Sequence, residues 1–206
     1  MDIDIVLASS NAGKLREFQQ MLDGLGMSVV PQSELAIESA EETGLTFIEN
    51  ALIKARHASL IAKRPALADD SGLEVDYLRG APGIYSARFS GADATDTDNN
   101  QYLLQRLAGA TTRERSARYH TVIVYLKHHL DPTPLICQAQ WEGSIAMQPL
   151  GDQGFGYDPL FIVADSGRRA SELAAPIKNR VSHRGKAMRQ LLNALSRQRI
   201  SPNESL

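Results

Sequence analysis

Ile3-Asp4-Ile5-Val6-Leu7-Ala8, running into Ser9-Ser10-Asn11-Ala12-Gly13-Lys14, is the stretch on which the fold turns. Its first half is a short apolar run, which predicts a buried strand. The small polar residues after it break that strand. Leu15, Phe18, Leu22 and Leu25 then recur at helical spacing, which predicts a helix. A strand, a turn of small residues and a helix present backbone N–H groups and the positive end of a helix dipole to an anion. The turn is not a P-loop: Ala8 stands where the first glycine belongs, and Leu15 follows the lysine in place of Ser or Thr. Two readings stay open on these residues, a phosphate-gripping turn and a well-capped helix with a surface lysine.

Outward from that unit, Thr46 and Glu49 are spaced as a capping box, and Ile48, Leu52, Ala55 and Ser59 continue one helical face. Asn50, Lys54 and His57 share another face. Pro65 closes this helix, and Ala66-Leu67-Ala68 reads as a short strand that emerges into a turn at Asp69-Asp70-Ser71-Gly72. A glycine-punctuated loop from Gly80 to Gly91 leads to a helix from about Asp98 to Leu107. Tyr119 to Leu126 is a predicted strand, and Leu135 to Met147 supplies one or two more, interrupted near Gly143. Leu160 to Val163 is another strand. A final helix after Ser182 as N-cap buries Met188, Leu191, Leu192 and Leu195. Helices alternate with strands early and strands follow one another later, so the fold class is α/β with a mixed sheet. Residues 1–196 read as one domain and 197–206 as a polar tail.

Composition narrows the function classes. A net charge of −2 over 206 residues argues against a general nucleic-acid binder. Cys137 is the only cysteine, which excludes an internal disulfide and a thiolate zinc site, and its apolar neighbours point to a buried, inert thiol. The acidic start lacks the basic region of a signal peptide, and no apolar stretch approaches the ~20 residues of a membrane span. The expected location is the cytoplasm, with no membrane partner.

Four segments carry candidate chemistry. Adjacent carboxylates at a strand end, Asp69 and Asp70, repel each other, and a Mg²⁺ ion with hard oxygen ligands would remove the conflict. Glu41-Glu42-Thr43-Gly44 places further acids before the capped helix. A plain polar turn remains the alternative for Asp69-Asp70. Gly151-Asp152-Gln153-Gly154-Phe155-Gly156-Tyr157-Asp158-Pro159 can bring backbone close to a ligand while a ring stacks on it, or it can be a glycine-rich hairpin with a core Phe. Lys178 with Ser182-His183-Arg184 puts cations where a helix dipole disfavours them, which marks a candidate site or a solvated basic face.

Taken together these motifs resemble the Ham1/RdgB inosine triphosphatase family. The matching set is Ser9, Asn11 and Lys14; Glu42-Thr43-Gly44 with Phe47, Glu49, Asn50 and Ala51; Ala68 to Leu73; Pro82 to Arg88; Phe155 to Pro159; and Ser182-His183-Arg184. The resemblance implies an elongated mixed β-sheet with two α/β lobes flanking a substrate cleft, a homodimer, and Mg²⁺-dependent hydrolysis of ITP, dITP and XTP to monophosphate and pyrophosphate. Carried over by position, Ser9, Ser10, Asn11, Ala12, Gly13, Lys14 and Lys54 would hold the triphosphate. Glu42 and Asp70 would hold the metal, with Asp70 as base and Asp69 in support. Ser71 would touch the substrate, and Phe155, Gly156, Tyr157, Asp158, Lys178, His183 and Arg184 would surround the nucleoside. The family pattern begins Thr-Gly-Asn where this chain has Ser9-Ser10-Asn11, so Ser10 lacks a glycine's freedom at positive φ.

These roles form a coherent mechanism. Lys14, Lys54 and a metal offset the charge that repels an attacking water, and Asp70 orients it. Arg184, or N–H groups near the last helix, would recognise the 6-keto group of a deaminated purine. The rival readings are a Maf-like nucleotide pyrophosphatase, against which the missing Ser-x-Ser-Pro-Arg-Arg pattern counts, and a non-catalytic nucleotide sensor, which has no need of Glu42 and Asp70 together.

Overall fold

A computed structural model describes residues 4–22 and 28–199. Ile3 and Leu25, assigned above to the first strand and helix, lie outside them. Strand β1 (Asp4–Leu7) leads through the Ser9–Asn11 turn into helix α1 (Ala12–Leu22), and β2 (Ser28–Pro31) returns parallel to β1, as a helical crossover requires. The register pairs Leu7 with Pro31, a residue tolerated there because β2 is an edge strand. Helix α2 (Phe47–Ala62) follows, and its N-cap Thr46 accepts the Glu49 N–H at 3.2 Å, as the spacing predicts.

Strand β3 (Ala66–Val75) lies parallel to β1. The acids do not form a turn after a three-residue strand; the strand runs straight through Asp69-Asp70-Ser71-Gly72. Successive residues of a strand face opposite ways, so the two carboxylates diverge, and the repulsion expected between neighbours does not arise. Helix α3 (Asp96–Arg106) starts two residues before the expected Asp98, because Thr95 and Asp98 form a reciprocal capping box. Strands β4 (Ser116–Leu126), β5 (Leu135–Ile145) and β6 (Phe161–Val163) complete a six-stranded mixed sheet of order β2-β1-β3-β4-β5-β6. Strand β5 is not interrupted at Gly143. There it pairs antiparallel with β6, and a Cβ would press on Ile162 O and lie 2.6 Å from Phe161 Cζ, so glycine serves close packing rather than a break. Helix α4 (Ala175–Val181) was not foreseen, and α5 (His183–Arg199) begins after Ser182, whose backbone is extended. Helix α5 extends into the expected tail; 200–206 lie outside the described residues.

The chain divides into two compact units, with the boundaries falling inside β3, β4, β5 and the first turn of α5. The first draws on the spans Met1–Asp70, Val122–Gln138 and Arg184–Leu206, and the second on Ser71–Thr121 and Ala139–His183. In the first unit Ala51, Ala55 and Ala58 of α2 share a buried cluster with Ala66 and Ala68 of β3 and with Val6, Val122 and Val124. The core of the second gathers Leu73, Leu103, Leu107, Tyr119, Trp141, Tyr157 and Phe161. No helix among the described residues is long and apolar enough to cross a membrane.

Candidate active site

Strand β3 delivers two buried carboxylates to the first unit, and each meets its own cation. Asp69 is 1% exposed and bonds Lys14 Nζ at 2.6 Å, with Arg184 Nη2 at 3.5 Å. Asp70 accepts from Lys54 Nζ at 2.7 Å. The same ammonium donates to Glu42 Oε1 at 2.8 Å and to the Asp69 carbonyl at 2.9 Å. Three elements converge on that nitrogen: α2 supplies it, β3 supplies Asp70, and the segment before α2 supplies Glu42. The segment is held by the helix it precedes, since Asn50 Oδ1 accepts the Gly44 N–H at 2.8 Å and Glu49 Oε2 accepts the Leu45 N–H at 2.8 Å. At Gly44 a Cβ would stand 2.5 Å from Glu49 Cβ and 2.7 Å from Asn50 Oδ1, so only glycine permits this clamp.

The charges perturb one another. Burial pushes Asp70 above the ordinary carboxylate range, aided by Glu42 and opposed by Lys54 and Lys14. Burial also works to lower Lys54, but Asp70 and Glu42 outweigh it and hold the ammonium above its usual value. Burial wins at Lys14, where Asp69 resists it while Lys54 and Arg184 add repulsion. In the turn before α1, Ser9 Oγ accepts the Asn11 N–H at 3.2 Å and Asn11 Oδ1 accepts the Lys14 N–H at 3.0 Å, so Asn11 caps the helix. Ser10 takes no positive φ; among the described residues, the non-glycine positions that do are Ala36, Lys63 and Arg79. The missing glycine therefore costs no backbone strain here.

The second unit carries a different cluster. Ser71, directly after Asp70 in β3, begins that unit's first span. The loop Phe155–Asp158 closes on its own aspartate: Asp158 Oδ2 accepts the Phe155 N–H at 3.0 Å and pairs with Lys178 Nζ at 2.5 Å. That ammonium lies 4.9 Å from the centre of the Phe155 ring, a cation–π distance. The His183 ring stacks on Tyr119 at 4.7 Å with 8° between planes, and on Trp141 at 6.2 Å. Tyr157 donates its hydroxyl to Ser86 O at 2.7 Å, and burial raises its pKa far above normal.

An acid–lysine cluster and an aromatic–cation loop on one mixed sheet are what a nucleotide enzyme needs, and comparison with known proteins agrees. The Ham1 family model matches residues 5–194. The chain belongs to the Ham1 family. It is 56% identical to the dITP/XTP pyrophosphatase of Escherichia coli O157:H7 over 93% of this chain and 97% of that one, and 55% identical to the enzyme of the same name from Yersinia pseudotuberculosis over equal shares. Among solved structures it resembles a HAM1 protein from Coxiella burnetii, with a TM-score of 0.87 and 48% identity, covering 95% of this chain and 99% of that one.

In this Ham1 protein Lys14, Lys54, Glu42, Asp69, Asp70 and Arg184 fall in one connected network of the first unit. Phe155, Asp158 and Lys178 fall in a second group, with Gly156 and Tyr157 in the same loop and His183 stacked on Tyr119 in that unit. Sequence reasoning missed Glu17, whose carboxylate pairs with Arg184 Nη1. Its spacing of three from Lys14 on α1 was the available signal. Among the described residues no group of three or more His, Cys, Asp or Glu forms a metal cage. Glu42 and Asp70 nevertheless aim hard oxygens at one shared cation position, now served by Lys54, and that donor set suits Mg²⁺, which often takes one or two carboxylates plus phosphate oxygens.

Proposed function

We propose that this Ham1 protein hydrolyses ITP, dITP and XTP at the α–β phosphoanhydride, releasing the nucleoside monophosphate and pyrophosphate. The observation that carries the reading is Lys54 Nζ bridging Glu42 and the buried Asp70. The names of the close relatives support the same activity. Lys14 and Lys54, with the Ser9–Gly13 turn, bind the triphosphate and offset the charge that would repel a nucleophile. Asp70, its affinity for a proton raised by burial, orients the attacking water and accepts its proton as the α-phosphorus is attacked and pyrophosphate departs. Asp69 supports Asp70 by holding Lys14 and Arg184 in place. A Mg²⁺ held by Glu42 and Asp70 would supply Lewis-acid polarisation of the phosphate oxygens. Phe155 to Asp158, Lys178 and His183, with Ser71, hold the nucleoside, and Arg184 selects the 6-keto base. The family resemblance extends the proposal to a homodimer in the cytoplasm.

Product analysis decides the reaction type. ITP with Mg²⁺, and no added pyrophosphatase, should yield IMP and pyrophosphate in equal amounts. Accumulation of IDP and orthophosphate would mean attack at the γ-phosphorus and would overturn the roles assigned to the lysines. Activity undiminished by a chelator would remove the metal.

A further inference from the structure

The first turn of α3 was assigned no role above, yet it grips the loop that carries Phe155. Gly156 donates its N–H to Asp96 Oδ2 at 2.6 Å, and its carbonyl accepts from Asn100 Nδ2 at 2.8 Å. Both hydrogen-bonding groups of one peptide residue are thus taken by two side chains one helical turn apart. Asn100 Nδ2 also donates to the Asp96 carbonyl at 2.7 Å, which ties the two jaws together. Asn100 is 9% exposed, and its Oδ1 is buried without a hydrogen-bond partner among the described residues. An unpaired buried acceptor is costly, so simple stability does not account for an asparagine here; its donor does. Gly156 itself sits at φ 62°, in the left-handed region, between Phe155 and Tyr157. Tyr157 is anchored separately through Ser86 O. The Phe155 ring lies over Lys178, and its backbone N–H is held by Asp158.

We infer that Asp96 and Asn100 are positioning residues for nucleoside binding: by clamping the Gly156 peptide they fix the direction of the Phe155 ring. The inference rests on the reading that this loop meets the nucleoside, and it adds a helix to the elements that set affinity for the base. The bond from Gly156 to a carboxylate is charge-assisted, a class roughly twice as strong as neutral bonds.

The test compares Asp96→Ala, Asp96→Asn, Asp98→Ala and Phe155→Ala in the full chain. Among the described residues Asp98 bonds Thr95 in the capping box, so D98A weakens the same helix end without touching Gly156. D96A should raise KM for ITP by about tenfold with kcat changed by less than about twofold, and should speed hydrogen exchange at the Gly156 amide. D96N keeps an oxygen acceptor and should restore most of the KM, whereas D98A should lower Tm and leave KM alone. The clamp is overturned if D96A leaves KM and Gly156 exchange unchanged, if D96N is as damaging as D96A, or if KM follows Tm through D98A. If F155A leaves KM for ITP unchanged, the loop does not meet the nucleoside and the functional reading falls along with the clamp. If F155A raises KM while D96A does not, the clamp alone fails.

Discussion

Lys54→Met removes the ammonium while keeping much of the aliphatic stem, and its consequences can be worked from three distances. The variant loses charge-assisted bonds at 2.8 Å to Glu42 and 2.7 Å to Asp70, and a bond at 2.9 Å to the Asp69 carbonyl. Breaking a buried pair by deleting one partner costs about 3 kcal/mol, most of it from the charge left behind. That charge is on Asp70, which is buried and already reluctant to ionise. Without Lys54, the strongest influence opposing burial, its pKa must rise further. A folded pKa raised above the unfolded value lowers stability at pH values where the group is ionised; the penalty shrinks as pH falls below the folded pKa and is gone below the unfolded one. K54M should therefore be destabilised by about 3 kcal/mol near neutral pH and by progressively less on acidification, the recovery beginning above the ordinary value of 3.8. In the parent protein the stabilising Lys54 contribution persists below the ordinary lysine value of 10.5 and is lost only as pH rises through the elevated folded pKa. Urea melts of both proteins across pH measure the difference, and the acid limb of residual ITP hydrolysis should move upward in step. A destabilisation that stays constant as pH is lowered into the ordinary carboxylate range would refute the reasoning, because it would mean that Asp70 carries no uncompensated charge.

Three further substitutions probe the acid cluster and the packing of the sheet. Glu42→Gln and Asp70→Asn should each lower kcat for ITP at saturating Mg²⁺ by about 10²-fold or more while far-UV circular dichroism stays unchanged; near-normal turnover in either would remove that residue from the chemistry. Gly143→Ala sets a Cβ 2.6 Å from Phe161 Cζ and against Ile162 O, so it should cost about 2 kcal/mol and lower Tm by roughly 6 °C, and an unchanged Tm would show that β5 and β6 can part there freely.

Much of this architecture is legible in the chain because local rules agree with the final packing. The first strand-turn-helix unit follows from its periodicity, and the Thr46–Glu49 box marks the start of α2 to the residue. What stayed hidden depends on partners far away in sequence. Asp69 and Asp70 look like a turn, because nothing nearby shows that Lys14, Lys54 and Arg184 will arrive to neutralise them inside a strand. Gly143 looks like a break until Phe161 and Ile162 are set beside it. Helix α4 has seven residues and no capping side chain, too short for a periodic signal; Pro176 at its start was the one local hint. Resemblance named the candidate residues, but the wiring, with one ammonium shared by two acids and a carbonyl, depends on segments far apart in the chain.

The five alanines packed between α2 and β3 bear on how such an enzyme can change over evolutionary time. Ala51, Ala55, Ala58, Ala66 and Ala68 are all fully buried, and alanine has no side-chain rotamers with which to absorb a neighbour's growth. Any larger residue at these positions must push the helix off the strand and carry Lys54 away from Asp70. Growth at any of these five positions is therefore penalised through the packing and through the Lys54–Asp70 contact together. Variation has more room outside this alanine seam, among residues whose alteration leaves that spacing alone.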